Sequence, residues 1–501
     1  MVDAHALGAC VFGRGGSSPL SRTTMERSGR LAWSLLFDSN YPWDGDGVDI
    51  CYNTPYMAHL SSQPYKGSRD YYPEDKRVQN YIFLTWKRVV ESFGYEEYNA
   101  PLLEPLDIYS AKTGQEIVNE QTYQFIDRGG RHVAIRPEMT PSVSRMVAAR
   151  RQEIPYPARW YSIANFMRYE RPQRGREREF WQLNTDIFGV AGVAADAEII
   201  TLADSLMKAF GATKKMYTIR INNRKMINFM MADYLGLDVI QSQLMIKLFD
   251  RKDKLSHEDF RQQAMDIFGE ALSEEGLRKI DSLLSATSMA QLPKEVLASD
   301  SVREVQELFT LLHEAGVDNA SFDISLMRGF DYYTGIVFEV FDNHPDNNRA
   351  IFGGGRYDGL VGLFGAEALP TVGMAPGATM MDLFLRSHDL MPKLTSTTDI
   401  YMVVLGSVHK AAREVAAKLR EEGVRVAVDI TDRKLDKQIK VAIKQQVIFM
   451  LFIGEREVSE GVYRLKDVAK ETEESLSIER IISTVKDHRR KVHGDEEDFD
   501  L

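Results

Sequence analysis

Residues 179–188, Glu-Phe-Trp-Gln-Leu-Asn-Thr-Asp-Ile-Phe, alternate in character with a period of two. Trp181, Leu183 and Ile187 fall on one side of an extended chain, and Phe180, Gln182, Asn184 and Asp186 on the other, because successive side chains of a strand point to opposite faces. Such a segment commits the chain to a sheet that packs one face on a covering layer and leaves the other polar. Helices are readable on either side of it. From Pro73, the residues Val78, Ile82, Trp86, Val89 and Phe93 recur at three- and four-residue steps until Gly94, and an extended piece follows at 95–98. Over 197–210, Ile200, Ala203, Met207 and Phe210 share a helical face that stops at Gly211.

The chain end is patterned differently. A strand at 401–405, a helix with Ala412, Val415 and Leu419, a strand at 424–429, a helix with Leu435, Ile439 and Ala442, and a strand at 447–453 alternate regularly. That is the signature of a small α/β domain. Residues 230–320 are charged and helical in pattern, with Leu244, Leu248, Ile267, Leu272 and Leu283 as expected core, and read as an inserted helical module. Strand character returns at 336–341 and leads to a Gly-rich stretch at 353–359.

A length of 501 residues suggests about three domains. The 44% hydrophobic and 27% charged content excludes collagen-like and broadly disordered chains. Cys10 and Cys51 are the only cysteines, so a disulfide framework and multi-cysteine zinc modules are excluded and a reducing compartment fits. The strongest apolar run, 447–453, is far too short to span a membrane. A net charge of −11 argues against indiscriminate coating of nucleic acid and leaves room for a local basic surface. Residues 1–62 open with Gly-Arg-Gly-Gly-Ser-Ser at 13–18 and read as a flexible extension. Arg14, Arg22, Arg27 and Arg30 ahead of the apolar 31–37 also suit an organelle-targeting segment, although Asp3 and Glu26 depart from its acid-poor composition.

Four clusters could carry chemistry. Between Phe166 and Gln182 stand Arg168, Arg171, Arg174, Arg176 and Arg178 with Glu170, Glu177 and Glu179. Alone this is a solvated hairpin of alternating charge; followed by the polar face of 179–188 it becomes a surface suited to a planar base, a phosphate and an ammonium group. In Arg136-Pro-Glu-Met-Thr140, Glu138 and Thr140 would share a face of a strand and accept from one amino group, the alternative being an exposed turn after Pro137. Arg328-Gly-Phe-Asp-Tyr-Tyr-Thr-Gly335 reads as core aromatics with an ion pair or as a site. In Gly353-Gly-Gly-Arg-Tyr-Asp-Gly359 glycines would let backbone approach a ligand. Walker-type Gly-x-x-x-x-Gly-Lys-Ser/Thr, His-Glu-x-x-His and Gly-x-Ser-x-Gly motifs are absent.

Arg136-Pro-Glu-Met-Thr, Phe166-Met-Arg-Tyr-Glu-Arg-Pro-Gln-Arg-Gly-Arg, Phe180-Trp-Gln, Arg328-Gly-Phe-Asp-Tyr-Tyr and Gly354-Gly-Arg-Tyr-Asp-Gly-Leu occur in this order, and together resemble the histidyl-tRNA synthetase family of class II synthetases over about residues 66–485. The resemblance implies an α+β fold: a catalytic domain on a mainly antiparallel sheet flanked by helices, with a helical insertion and a C-terminal α/β anticodon-binding domain. The implied division is an N-terminal extension 1–62, catalytic parts 63–229 and 321–392 around an insertion 230–320, an anticodon-binding domain 397–487, and an acidic tail 488–501. It implies activation of L-histidine with ATP and Mg2+ to histidyl-adenylate, then transfer to the 3′ end of tRNA(His). By resemblance Arg168 and Arg328 are the catalytic cations. Glu138, Thr140, Gln182, Asp186, Arg328, Tyr332 and Tyr333 bind histidine, Asp186 standing where relatives commonly have glutamate. Arg168, Glu170, Arg176 and Phe180 bind ATP, with magnesium arriving on the phosphates and no dedicated metal ligands in the chain. Gln173, Arg174, Arg433, Lys437, Lys440 and Lys444 bind tRNA, the last three and Arg433 at helical spacing along one face.

The resemblance also implies a homodimer built on the first long helix and the segment around Pro101, with Trp86 and Phe93 unfavourable to expose. It implies a cytoplasmic protein without a membrane anchor, and a mitochondrial pool if residues 1–62 act as a targeting segment. One departure is sharp. Class II synthetases usually carry a Gly-x-Glu-Arg-like segment after the last strand, whose arginine faces adenine; here the chain reads Gly373-Met-Ala-Pro-Gly-Ala-Thr-Met380, which leaves Phe180 and backbone groups to hold adenine. Two competing readings share the fold: a regulatory relative without the tail domain, and a noncatalytic tRNA-binding or stress-sensing module. The tail argues against the first and the pair Arg168 and Arg328 against the second.

Overall fold

The computed structural model describes residues 60–110, 120–252, 255–269, 273–286, 288–327, 332–347 and 349–493. Nearly all of the expected 1–62 extension, Leu272 and Arg328 lie outside them. Helix α1 (Pro73–Ser92) starts with proline, whose missing N–H costs nothing in a first turn, and carries Glu74 and Asp75 at the positive end of the helix dipole. Its Ile82, Trp86, Val89 and Val90 are buried, and Gly94, at φ 79°, ends it. Then follow β1 (Glu96–Glu97), β2 (Leu103–Pro105), α2 (Asp107–Ser110), β3 (Gln124–Ile126), β4 (His132–Ile135), α3 (Thr140–Ala149), β5 (Ala158–Met167), β6 (Glu179–Phe188), α4 (Ala194–Ala209) and β7 (Tyr217–Asn223).

The helical module comprises α5 (Arg224–Phe229), α6 (Val239–Asp250), α7 (His257–Phe268), α8 (Ser273–Leu284), α9 (Lys294–Leu297) and α10 (Asp300–Glu314). After it come β8 (Ala320–Phe322), β9 (Ile336–Asp342), β10 (Ala350–Arg356), β11 (Thr371–Met374) and α11 (Ala378–Ser387). Eight strands form one sheet in the order β1-β5-β6-β11-β10-β9-β7-β8, parallel only at its two edges and antiparallel between them.

Strand β6 coincides with the alternating segment, and its two faces separate as the pattern demands. Leu183 and Ile187 pack in the main core with Ile82 and Trp86 of α1, Ile199 and Ile200 of α4, and Met381 and Phe384 of α11, with Trp181 against its margin. At roughly 1.5–3 kcal/mol for each large apolar side chain fully buried, this helical layer is the main support of the sheet. Trp86 is fully buried within the chain, so it provides no reason for a subunit interface. In the helical module Leu248 and Leu283 are buried, whereas Leu244 is 49% exposed: it lies on the solvent side of α6, one turn from Leu248 but off the buried stripe.

The last domain has β12 (Ile400–Val404), α12 (His409–Glu421), β13 (Val426–Val428), α13 (Leu435–Lys444), β14 (Phe449–Ile453), α14 (Glu455–Glu460), β15 (Tyr463–Asp467), β16 (Thr472–Leu476) and α15 (Ile478–His493). Its sheet runs β13-β12-β14-β15-β16. The first three strands are parallel and β15 and β16 are antiparallel. Helices α12 and α15 cover one face and α13 the other, which is why β14 is buried along its whole length. Helix α15 continues past residue 488, where an acidic tail was expected, and Arg489 donates through Nε to the fully buried Asp399 at 3.0 Å. Among the described residues no helix is long and apolar enough to cross a membrane.

Candidate functional site

The polar face of β6 is roofed by three segments distant in sequence. The loop from β4 into α3 brings Glu138, 3% exposed. The strand face that the spacing of Glu138 and Thr140 predicted does not exist: β4 ends at Ile135 and Thr140 opens α3. They meet all the same, because the Tyr332 hydroxyl donates to Glu138 Oε2 at 2.9 Å and also engages Thr140. Burial holds the Tyr332 phenol well above its ordinary pKa, so it stays a neutral donor. Tyr333 lies edge-on to Tyr332, 5.2 Å between ring centroids, and is only half-buried. A Cβ on Gly355 would stand 2.7 Å from the Ile336 carbonyl oxygen and 2.9 Å from the Tyr333 ring. Thus Gly355 admits a carbonyl and an aromatic ring of the chain itself, while a Cβ on Gly354 would strike the Gly373 carbonyl oxygen.

Further along β6, Gln182 donates its amide N–H to Ala375 O at 2.9 Å, which fixes the amide and leaves its carbonyl as an acceptor. Asp186, 5% exposed, accepts a hydrogen bond from Tyr357. Burial pushes its pKa up to about 7, with the Tyr357 hydrogen bond pulling the other way. A Cβ on Gly373 would stand 2.0 Å from its Oδ1.

The hairpin joining β5 to β6 carries the arginine run. Arg168 donates through Nε to Pro137 O at 2.9 Å, its guanidinium lies 5.3 Å from the Phe180 ring centre, and Nη1 is 4.0 Å from Glu170. Glu170 also pairs with Arg176 at 3.3 Å. Backbone bonds close the turn between Gln173 and Arg176. Gln173, Arg174 and Arg176 are exposed, as a solvated hairpin would have them, but Arg178 is buried. It stacks 4.0 Å from the Tyr169 ring centre and donates to the Tyr65 hydroxyl. The hairpin is docked on α11 by Thr379, whose hydroxyl donates to Glu177 at 2.8 Å.

Several participants escaped the sequence pattern. Tyr357 carries the hydrogen bond to Asp186, and the buried Tyr98 hydroxyl has no partner among the described residues. Arg356 is structural: it is paired with Asp196 beneath the sheet and donates to Val190 O and Gly192 O. Burial pushes Asp196 up to about 6 even with that guanidinium drawing it down. In the last domain Arg433 precedes α13, and Lys437, Lys440 and Lys444 lie along it; all four are exposed. Among the described residues no group of three or more His, Cys, Asp or Glu side chains is arranged to hold a metal ion.

The chain matches the family model described as histidyl-tRNA synthetase over residues 67–379 and that of an anticodon binding domain over 399–488. It is 40% identical over 436 residues to a histidine–tRNA ligase of Leptospira biflexa and 37% identical over 439 residues to one of Opitutus terrae. Each alignment covers 86% of this chain and 99% of the relative. In fold it is similar to the crystal structure of histidyl-tRNA synthetase from Nostoc sp. PCC 7120, with a TM-score of 0.73 at 23% identity over 86% of this chain and all of that one.

Proposed function

The chain belongs to the histidyl-tRNA synthetase family, and from that premise we propose how its residues share the work. The reaction is that of a histidine–tRNA ligase: histidine and ATP give histidyl-adenylate and pyrophosphate, and the histidyl group then passes to the 3′ end of tRNA with release of AMP. The histidine ammonium group sits against Glu138, Thr140 and the Gln182 carbonyl. The observation that carries this reading is the Tyr332–Glu138 hydrogen bond, which joins two motifs on the polar side of β6 and orients a buried carboxylate. A neutral imidazole needs one acceptor and one donor; Asp186 and Tyr333 supply them.

The carboxylate of histidine attacks the α-phosphate, and negative charge grows on the phosphoryl oxygens. Preplaced cations lower that barrier most, and Arg168 is one, with Arg328 proposed as the second. Phe180 stacks on adenine beneath the Arg168 guanidinium, and Arg176 and Glu170 close over the phosphates. Bound with ATP, magnesium would offset the charge of the triphosphate, and Glu170 of the hairpin is the carboxylate that would hold it. The tRNA runs from Gln173 and Arg174 to the basic stripe of Arg433, Lys437, Lys440 and Lys444.

We also propose a homodimer. Trp86 does not support it, but Leu102 and Leu103, beside Pro101, are 43% and 48% exposed, and Phe125 and Ile126 of β3, which joins β2 and β4 in a three-stranded sheet, are 44% and 70% exposed. Light scattering at micromolar protein should report two chains. The protein is assigned to the cytoplasm, and imaging a C-terminal tag tests whether residues 1–62 add a mitochondrial pool. Histidine-dependent exchange of pyrophosphate into ATP tests the site itself: full-length protein should catalyse it and Arg168→Ala should lose most of it. Exchange by that variant within about threefold of the parent, far below the 3–4 kcal/mol such a donor can contribute, would remove Arg168 from catalysis.

A further inference from the structure

The start of α11 presents Met380 where an arginine would face the nucleotide, yet a guanidinium stands beside it. Arg349 immediately precedes β10, and its backbone carbonyl is held by Asp342 N at the end of β9. Its Nη1 donates to Arg174 O, at the tip of the β5–β6 hairpin, at 2.8 Å. A Cβ on Gly175 would lie 2.5 Å from Met380 Sδ and 3.5 Å from Arg349 Nη1. Arg349, Met380 and the hairpin tip therefore converge on one spot. The register of the sheet explains the convergence. Ala375 N bonds Gly353 O and Gln182 bridges to Gly377, so the entry to α11, the polar end of β6 and the beginning of β10 lie at the same end of adjacent strands.

Arg349 is badly used as a strut. A guanidinium offers five N–H donors and a permanent charge, and among the described residues Arg349 spends one donor on a neutral carbonyl and forms no ion pair. The neighbouring Thr379 hydroxyl is committed to Glu177. Met380 contributes no charge. A planar fork with unspent donors, facing a hairpin assigned to ATP, suits a phosphate.

We propose that Arg349, reaching the hairpin tip from the start of β10, is a triphosphate-binding residue of the ATP site. This rests on the reading of the hairpin as the ATP site. ATP and adenosine affinities of the full-length protein, measured by calorimetry, test it. Arg349→Gln keeps a donor for Arg174 O and loses the charge. It should weaken ATP on the order of ten- to a hundredfold, as loss of a charge-assisted hydrogen bond does, and leave adenosine and histidine affinities unchanged. Arg349→Lys should fall between, and adding Met380→Arg to Arg349→Gln should restore ATP binding. ATP binding by Arg349→Gln within about threefold of the parent would overturn the proposal, being less than one such bond is worth. So would equal loss of ATP and adenosine, which would make Arg349 a brace for the hairpin. A parent that binds ATP but catalyses no histidine-dependent exchange would refute the ligase assignments of the site, while the affinities would still decide Arg349.

Discussion

Replacing Asp186 by asparagine tests the electrostatics of the polar face of β6. Burial raises this carboxyl from 3.8 to about 7, against the hydrogen bond from Tyr357, whereas in the unfolded chain it titrates near the ordinary value. Between about pH 4 and pH 7 the folded protein keeps a proton that the unfolded chain has lost. Stability therefore falls as pH rises through that window, and the penalty is complete above pH 7 and absent below pH 4. About three pH units at 1.36 kcal/mol each give at most about 4 kcal/mol. Asparagine is nearly isosteric, never charges, and keeps an oxygen for Tyr357. The variant should match the parent near pH 4 and exceed it by up to about 4 kcal/mol at pH 8. Urea unfolding followed by the fluorescence of Trp86, Trp160 and Trp181, stepped across this range, reads the difference. A stability gap that does not change with pH would refute the reasoning. The variant should also activate histidine poorly above pH 7, since it presents no anion to the imidazole; stability would then have been given up for function.

Arg356→Ala should destabilise the protein by about 3–5 kcal/mol, because it leaves Asp196 buried without its partner, and thermal denaturation should show a clear drop; an unchanged midpoint would mean Asp196 takes up a proton at little cost. Gly373→Ala forces a Cβ onto the Asp186 carboxylate, so exchange activity should collapse, and a variant with parental histidine affinity would contradict the geometry. Tyr333→Phe should raise the Michaelis constant for histidine with that for ATP nearly fixed, whereas Tyr332→Phe, which removes the hydroxyl donor to buried Glu138, should cost about 1–3 kcal/mol in stability as well; reversal of the two patterns would exchange their roles. Changing Lys437, Lys440 and Lys444 together to Glu should weaken tRNA charging and flatten its salt dependence while leaving pyrophosphate exchange intact, and equal loss in both assays would show that α13 serves the fold instead.

What was legible from residue order is what local backbone geometry enforces. A strand must alternate its side chains, so Glu179–Phe188 declared both its extent and its two faces, and Leu183 and Ile187 reached the core it implied. The same holds for α1, written in steps of three and four and closed by Gly94, and for the alternation from β12 to β14. The hairpin β15–β16 was not legible, because β16 is an exposed edge strand of charged and polar residues with little alternation to display. Tertiary structure alone decided which distant groups meet. Tyr332 lies 194 residues from Glu138, Tyr357 lies 171 from Asp186, and Arg356 lies 160 from Asp196. Each meeting depends on the order β5-β6-β11-β10-β9, in which β6 pairs with β11 after a long excursion of the chain. Periodicity reports how a segment faces its own layer; it carries no record of which strand will lie beside it, and that choice sets the charge of Asp186, the need for Gly373, and the place of Arg349 next to the hairpin.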